Sequence, residues 1–151
     1  MTDFAAQVKS FAVKAMHRSD RVFQESSRSI SYAIAEKSPV STGRFLGSWS
    51  PSINTMTTHT FVGGPSAWGL GGKNEGIASA NRSRAMSHLS SKIEATAPRL
   101  TISDTYYFAN STPYSQNVEY TGWQNTGPYS PRTQAVNNWS IIVREAVGRI
   151  G

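Results

Sequence analysis

From Asp3 to Glu36 the sequence reads as one long helix, and nothing else in the chain constrains the fold as much. Thr2 or Asp3 serves as its cap. Ser38-Pro39 ends it, because the residue before proline is driven out of helical geometry. At about 100° per residue, Phe4, Val8, Phe11, Ala12, Ala15, Val22, Phe23, Ile30, Ala33 and Ile34 share one broad apolar stripe. Lys14, Arg18, Arg21 and Arg28 form a narrower basic stripe beside it. About 34 residues at ~1.5 Å each make a rod roughly 50 Å long. In a chain of 151 residues such a rod packs on a sheet along part of its length and leaves the rest for a neighbouring subunit.

Beyond the rod the texture alternates. Residues 44–62 are rich in Ser, Thr and β-formers and predict one or two strands, with Pro51 at an edge or bulge. The glycines of 63–76 predict a flexible loop. A second helix is expected over 77–96, with Ile77, Ala80, Ala85, Leu89 and Ile93 on its inner face. After Pro98, the run over 99–120 predicts a strand region, alternating from Leu100 through Ile102 into Tyr106, Tyr107 and Phe108. Turn residues over 121–131 then lead into a last helix over 131–148, opened by Pro131 and carrying Val136, Trp139, Val143, Ala146, Val147 and Ile150 as its apolar face. The order of elements predicts a single α+β domain over residues 1–151, an antiparallel sheet with the long, middle and C-terminal helices packed on it.

Composition excludes several classes. With no cysteine, thiol catalysis, disulfide scaffolding and Cys-ligated zinc are out, while the redox compartment stays open. No apolar run reaches the ~18–20 residues a membrane span requires, and no signal-peptide core stands at the start. The net charge is +6, and the excess is local. Residues 1–50 hold seven Lys/Arg against four Asp/Glu, residues 73–99 five against two, and the remainder from Leu100 three of each. Such a distribution suits a face that meets phosphate or an acidic partner, and equally a solvated basic surface.

Tests for chemistry fail one by one. The Gly-rich segment 63–76 lacks a phosphate-binding loop: Gly72-Lys73 is followed by Asn74, and Ala67 stands where the first glycine is required. His17, His59 and His88 lie in separate segments at no metal-binding spacing, and His17 and His88 read as exposed helix residues. No nucleophile elbow and no close carboxylate pair occur, since Asp104 and Glu119 belong to different segments. No enzyme activity, metal or cofactor is expected. Direct nucleic-acid binding has the basic helix in its favour. Against it, no Lys or Arg occurs between Arg99 and Arg132, so the aromatic stretch Tyr106–Trp123 lacks the cations of a stacking platform. Its aromatics are read as sheet and core residues.

Two stretches carry a family resemblance. Lys37–Trp49 ("KSPVSTGRFLGSW") is similar to the Pro-Val-x-Thr-Gly-Arg-Leu segment of the HK97 gp10-like family of bacteriophage neck and tail-completion proteins, matching at Pro39, Val40, Thr42, Gly43 and Arg44. The later "ANSTPYSQNVEYTGW" resembles that family's Asn-x-x-Pro-Tyr-Ala-x-x-Val-Glu-Tyr-Gly segment, matching at Asn110, Pro113, Tyr114, Val118, Glu119 and Tyr120. Ser115 replaces the usual alanine, and Thr121 intervenes before Gly122. The resemblance implies a structural virion protein, assembled in the host cytoplasm, that forms a homo-oligomeric ring, a hexamer, at the head–tail interface. Its expected partners are copies of itself, the tail tube or tail terminator protein, and the head connector or portal-adaptor proteins. Genomic DNA would pass through the ring without sequence-specific binding. A tail terminator and, from another class, a basic DNA-binding accessory protein are the alternatives. The basic stripe Lys14, Arg18, Arg21 and Arg28 would face an acidic partner surface or the DNA channel. Arg44 and Glu119 either pair across the two motifs or stand as two unrelated exposed charges.

Overall fold

A computed structural model describes residues 3–122 and 127–151. It shows an α+β domain in which helices predominate and the sheet is small. Helix α1 spans Asp3–Lys37, a helical turn α2 spans Arg44–Gly47, and strand β1 spans Ser50–Ile53. A short hairpin follows, with strands β2 (Trp68–Gly69) and β3 (Gly72–Lys73), and then helix α3 (Glu75–Thr96). Strand β4 (Tyr106–Ala109) pairs antiparallel with β1, placing Ser50 opposite Ala109 and Ile53 opposite Tyr106. Helices α4 (Pro131–Asn137) and α5 (Trp139–Ile150) close the described chain. Thr2, offered as a cap of the first helix, and residues 123–126 of the expected turn lie outside the described residues, as does Trp123 of the aromatic stretch.

The long helix forms as expected, but its two halves lead different lives. Asp3 through Ser19 are all exposed. At ~1.5 Å per residue that is an arm of about 25 Å projecting from the domain. From Asp20 onward the helix is gripped. Its side chains Ser26, Ser27, Ser31, Ile34 and Ala35 are buried, and the three serines keep the face flat enough for close helix approach. Helices α4 and α5 lie against one side and α3 against the other. Arg149 of α5 reaches Glu25 (3.6 Å) and Ser29 (3.1 Å), while Tyr32 hydrogen-bonds Ser90 and Glu94 of α3 at 2.9 and 2.8 Å. The single broad stripe expected along the helix is therefore two faces. The buried face of the gripped half centres about a third of a turn away from Phe4, Val8, Phe11 and Ala15.

The core gathers where α1 ends. Ile34, Val40, Phe45, Leu46, Trp49, Leu89, Ile93 and Val118 form one cluster. The Trp49 ring stacks on Phe108 of β4 (5.0 Å between centroids) and meets Phe45 edge-on at 5.6 Å. Its indole N–H donates to Ser38 Oγ (3.1 Å), which itself donates to the carbonyl of Ile34 (2.9 Å). A polar pair at the last turn of α1 thus orients the largest ring of the core.

Several expected boundaries change. Residues 44–62 begin with a helical turn, because Gly43 starts it in the left-handed region (φ 86°) and Thr42 Oγ1 accepts the N–H of Arg44. Only Ser50–Ile53 is strand, and Pro51 sits in a two-stranded sheet where both strands are edges. Segment 63–76 carries the β2–β3 hairpin and then Asn74, whose side chain caps α3 by accepting Ile77 N–H. The inner face of α3 is Ala78, Asn81, Ala85, Leu89 and Ile93, so Ile77 and Ala80 are off it. Leu100 and Ile102 are not strand residues: Asp104 accepts the N–H and hydroxyl of Thr101 and closes a turn before β4. The last helix breaks at Asn138, whose side chain donates back to the carbonyl of Gln134 (3.1 Å). The buried residues Pro131, Ala135, Ile142 and Ala146 keep one helical phase across the break, and Val136, Trp139 and Val147 are exposed, so the inner face lies about a quarter of a turn from the expected one.

At Gly43 both the backbone conformation (φ 86°) and the space around it call for glycine. A Cβ there would stand 2.9 Å from the carbonyl oxygen of Asn81 and 3.3 Å from Ala85 Cβ, both on α3. Gly43→Ala is expected to cost about 2–4 kcal/mol in urea denaturation, combining left-handed strain with a steric overlap against helix backbone. Gly148→Ala, within α5 and with open space around it, is the control and should stabilise by up to ~1 kcal/mol.

Candidate functional site

The two motif segments meet around one groove of about 960 Å³. Pro39, Val40, Thr42, Gly43 and Phe45 line it from the first segment, and Tyr114 and Val118 from the second. Trp68 and Lys73 of the hairpin, and Ala78 and Arg82 of α3, complete its walls. The groove is mixed in character, lined by aromatic Phe45, Trp68, Tyr114 and Tyr129 and by charged Glu36, Lys37, Lys73, Glu75 and Arg82.

Local chemistry explains how each wall is held. Asn81, buried on α3, donates to the carbonyls of Ser41 (2.7 Å) and Pro65 (2.8 Å), tying the first motif and the Gly-rich segment to one helix. Arg82 donates to the carbonyl of Ser38 at 2.8 Å. Neither residue was singled out from sequence. An asparagine in the apolar register of α3 was the available signal, since a buried amide persists only where its hydrogen bonds are satisfied. The second motif is anchored by Asn110, whose amide donates to the carbonyl of Phe45 (2.8 Å) while its Oδ1 accepts the N–H and hydroxyl of Thr112. Tyr114 packs on Phe45 at 6.1 Å between ring centroids, and the Arg44 guanidinium lies 5.9 Å from the Tyr114 ring. Burial beside this cluster pushes the Tyr114 phenol upward, and the Arg44 charge partly opposes it.

The motifs are therefore joined, but not by the pair proposed from sequence. Glu119 is buried and turned away from Arg44. Its carboxylate accepts the backbone N–H of Arg132 (3.0 Å), the N–H of Thr133 (2.6 Å) and the Thr133 hydroxyl (2.6 Å), capping the first turn of α4. The Arg132 Nε stands 3.9 Å from it. The donors that α4 leaves unpaired at its start are what draw the carboxylate in, since Ser130 makes no side-chain cap. Tyr120 is exposed and holds the Arg132 side chain by its hydroxyl and ring face. Pro113 is exposed.

Thr121 lies in an unusual turn. The N–H of Gly122 bonds the carbonyl of Asn117 at 2.7 Å, five residues back, so Asn117–Thr121 forms a turn one residue wider than an α-helical one. Gly122 follows with φ 65°. The carbonyl of Val118 accepts two N–H groups, from Tyr129 and Ser130, and so holds the chain on the far side of residues 123–126.

Of the basic stripe, Lys14, Arg18 and Arg21 are exposed, the first two on the arm. Arg28 is not part of the same free face: it pairs with Glu94 at 2.7 Å and lies over the Tyr32 ring. The stripe is three residues long.

His59 and His88, placed apart by sequence, are brought together. Their Nε2 atoms are 3.1 Å apart, with the Gly47 carbonyl 2.9 Å from His59 Nε2 and Ser50 Oγ on its Nδ1. His88 is thus half-buried rather than an exposed helix residue. Among the described residues no three His, Asp or Glu side chains converge as metal ligands would. Nor is any helix among them long and apolar enough to cross a membrane. Comparison with protein-family models, with curated proteins and with solved structures returned no match.

Two predictions follow from this geometry. Glu119→Ala should cost about 1–3 kcal/mol, couple to Thr133→Ala by ~1 kcal/mol or more, and add to Arg44→Ala within ~0.5 kcal/mol in double-mutant cycles. The histidine pair sets a pH dependence. Burial, and then the Lys92 charge, hold both imidazoles below their ordinary pKa. The unfolded chain thus binds protons more readily, so this contribution to stability is complete above about pH 6.5 and is lost as pH falls from there through the folded values. The urea midpoint of His88→Gln is expected to fall less than that of the parent between pH 7.5 and 5.5 (roughly one unit either side of the free imidazole pKa).

Proposed function

We propose that the chain is a structural assembly protein of the neck of a long-tailed bacteriophage, acting as a ring subunit that completes the tail and joins it to the head connector. One observation carries this reading. The two segments that resemble the tail-completion family, separated by some sixty residues in sequence, pack on each other around a single groove through Asn110, Phe45 and Tyr114. Motif residues held this way by hydrogen bonds to backbone and by ring packing suit a contact surface. The mechanism is templated association: the groove receives a segment of a neighbouring subunit or of the tail end, and the exposed cations of the arm face an acidic partner surface.

The test is electron microscopy of lysates lacking the gene. Filled heads beside separate tails of normal length are the expected result. Over-long tubes would reassign the protein to tail termination, and intact particles would overturn the proposal. Reversing Lys14, Arg18 and Arg21 to Glu should block joining without lowering the urea midpoint, because the first two stand on the projecting arm and the third is exposed. A salt-sensitive shift of duplex DNA by the purified protein, lost in the same variant, would favour the DNA-binding alternative.

A further inference from the structure

We propose that the projecting arm, Asp3–Ser19, pairs with the arm of a second copy of this chain, the two helices lying antiparallel about a two-fold axis through Phe11. Phe4 is 81% exposed, Val8 50% and Phe11 74%, on an arm whose residues, Asp3 through Ser19, are all exposed. A lone helix of this length is marginal in water, and most helices owe their stability to what covers their apolar face.

The spacing of the exposed side chains selects the kind of partner. Phe4, Val8, Phe11, Ala15, Arg18 and Val22 follow one another at intervals of four, three, four, three and four residues. A seam with that period stays in register only against another helix that carries the same period. The motif groove is a poorer seat, since Lys37, Lys73 and Arg82 outnumber Glu36 and Glu75 along it and the arm brings Lys14 and Arg18.

Charge and size then choose the direction. In a parallel pair Arg18 would oppose Arg18 of the other copy inside the seam. Reversed about Phe11, Arg18 instead lies on the Phe4 ring of its partner, where a cation over an aromatic face is favourable. Phe11 then meets Phe11, Val8 lies within about one residue's rise of Ala15, large against small, and Lys14 lies as near to Gln7 rather than to a second cation. The pairing is isologous, as two-fold contacts are. It buries about 500 Å² per copy, roughly 1,000 Å² in all, at the lower bound for a specific interface, so a reversible dimer is expected. The inference does not depend on the neck reading, because it concerns the free protein in solution.

Sedimentation of the full chain up to about 100 µM should show a concentration-dependent dimer. Phe11→Glu should be monomeric throughout and, at dilutions where the parent is also monomeric, keep the parent's urea midpoint, since the arm lies outside the core. The chain has no cysteine of its own, so single cysteines report direction without background. Oxidised Phe11→Cys should crosslink to itself. Phe4→Cys should not, because its two copies lie some 20 Å apart along the pair, but it should crosslink to Arg18→Cys when the two proteins are mixed. A monomer at every concentration would overturn the proposal. So would a dimer that survives Phe11→Glu, or Phe4→Cys crosslinking to itself as efficiently as Phe11→Cys.

Discussion

The chain has to leave the end of α1 and turn back across α3 in six residues, and the absence of a side chain at Gly43 makes that possible. The backbone there is left-handed, and the carbonyl of Asn81 occupies the space a methyl group would need. Because Gly43 sits so close, Asn81 can reach both Ser41 and Pro65, and Ala85 can lie flush beneath the turn. The helical turn Arg44–Gly47 then presents Phe45 and Leu46 inward, and Trp49 follows onto Phe108. Sheet, core and groove all inherit their positions from this corner. Their tolerance to change is correspondingly uneven: the glycines of the hairpin loop and of α5 face open space, whereas this one does not.

A second constraint works from the other end. Glu119 satisfies the opening amides of α4 while the carbonyl of Val118 takes two further N–H groups, so one stretch of chain fixes both the start of the C-terminal helices and the wall of the groove. The widened turn over Asn117–Thr121 is part of this device. It holds both Val118 in the core and Glu119 on α4.

How much of this was legible in sequence differs by element. The long helix and the α+β class could be read, because helical periodicity, Pro39 as terminator and the grouping of turn residues are local signals. The partner of Glu119 could not. A carboxylate and an arginine in two related motifs invite pairing, but the backbone N–H groups of α4 have no letter in the sequence. The fate of Leu100 and Ile102 was likewise hidden, since Asp104 three residues past Thr101 competes for the backbone and wins a turn where alternation suggested a strand. The His59–His88 contact depends on an irregular segment folding back across α3, which no spacing rule reports. The single apolar stripe of α1 was resolved into two faces only once its neighbours were known.

One consequence of α1 concerns measurement rather than binding. The same unbroken helix carries the exposed arm at one end and, at Glu36 and Lys37, the edge of the groove at the other. Its 35 residues make it a strut of about 52 Å. Whatever holds the arm is therefore kept at a set stand-off and azimuth from whatever fills the groove, both fixed by residue count. A subunit built this way works as a gauge, and a one-residue insertion in the helix would swing one contact by about 100° relative to the other before it lengthened the strut appreciably.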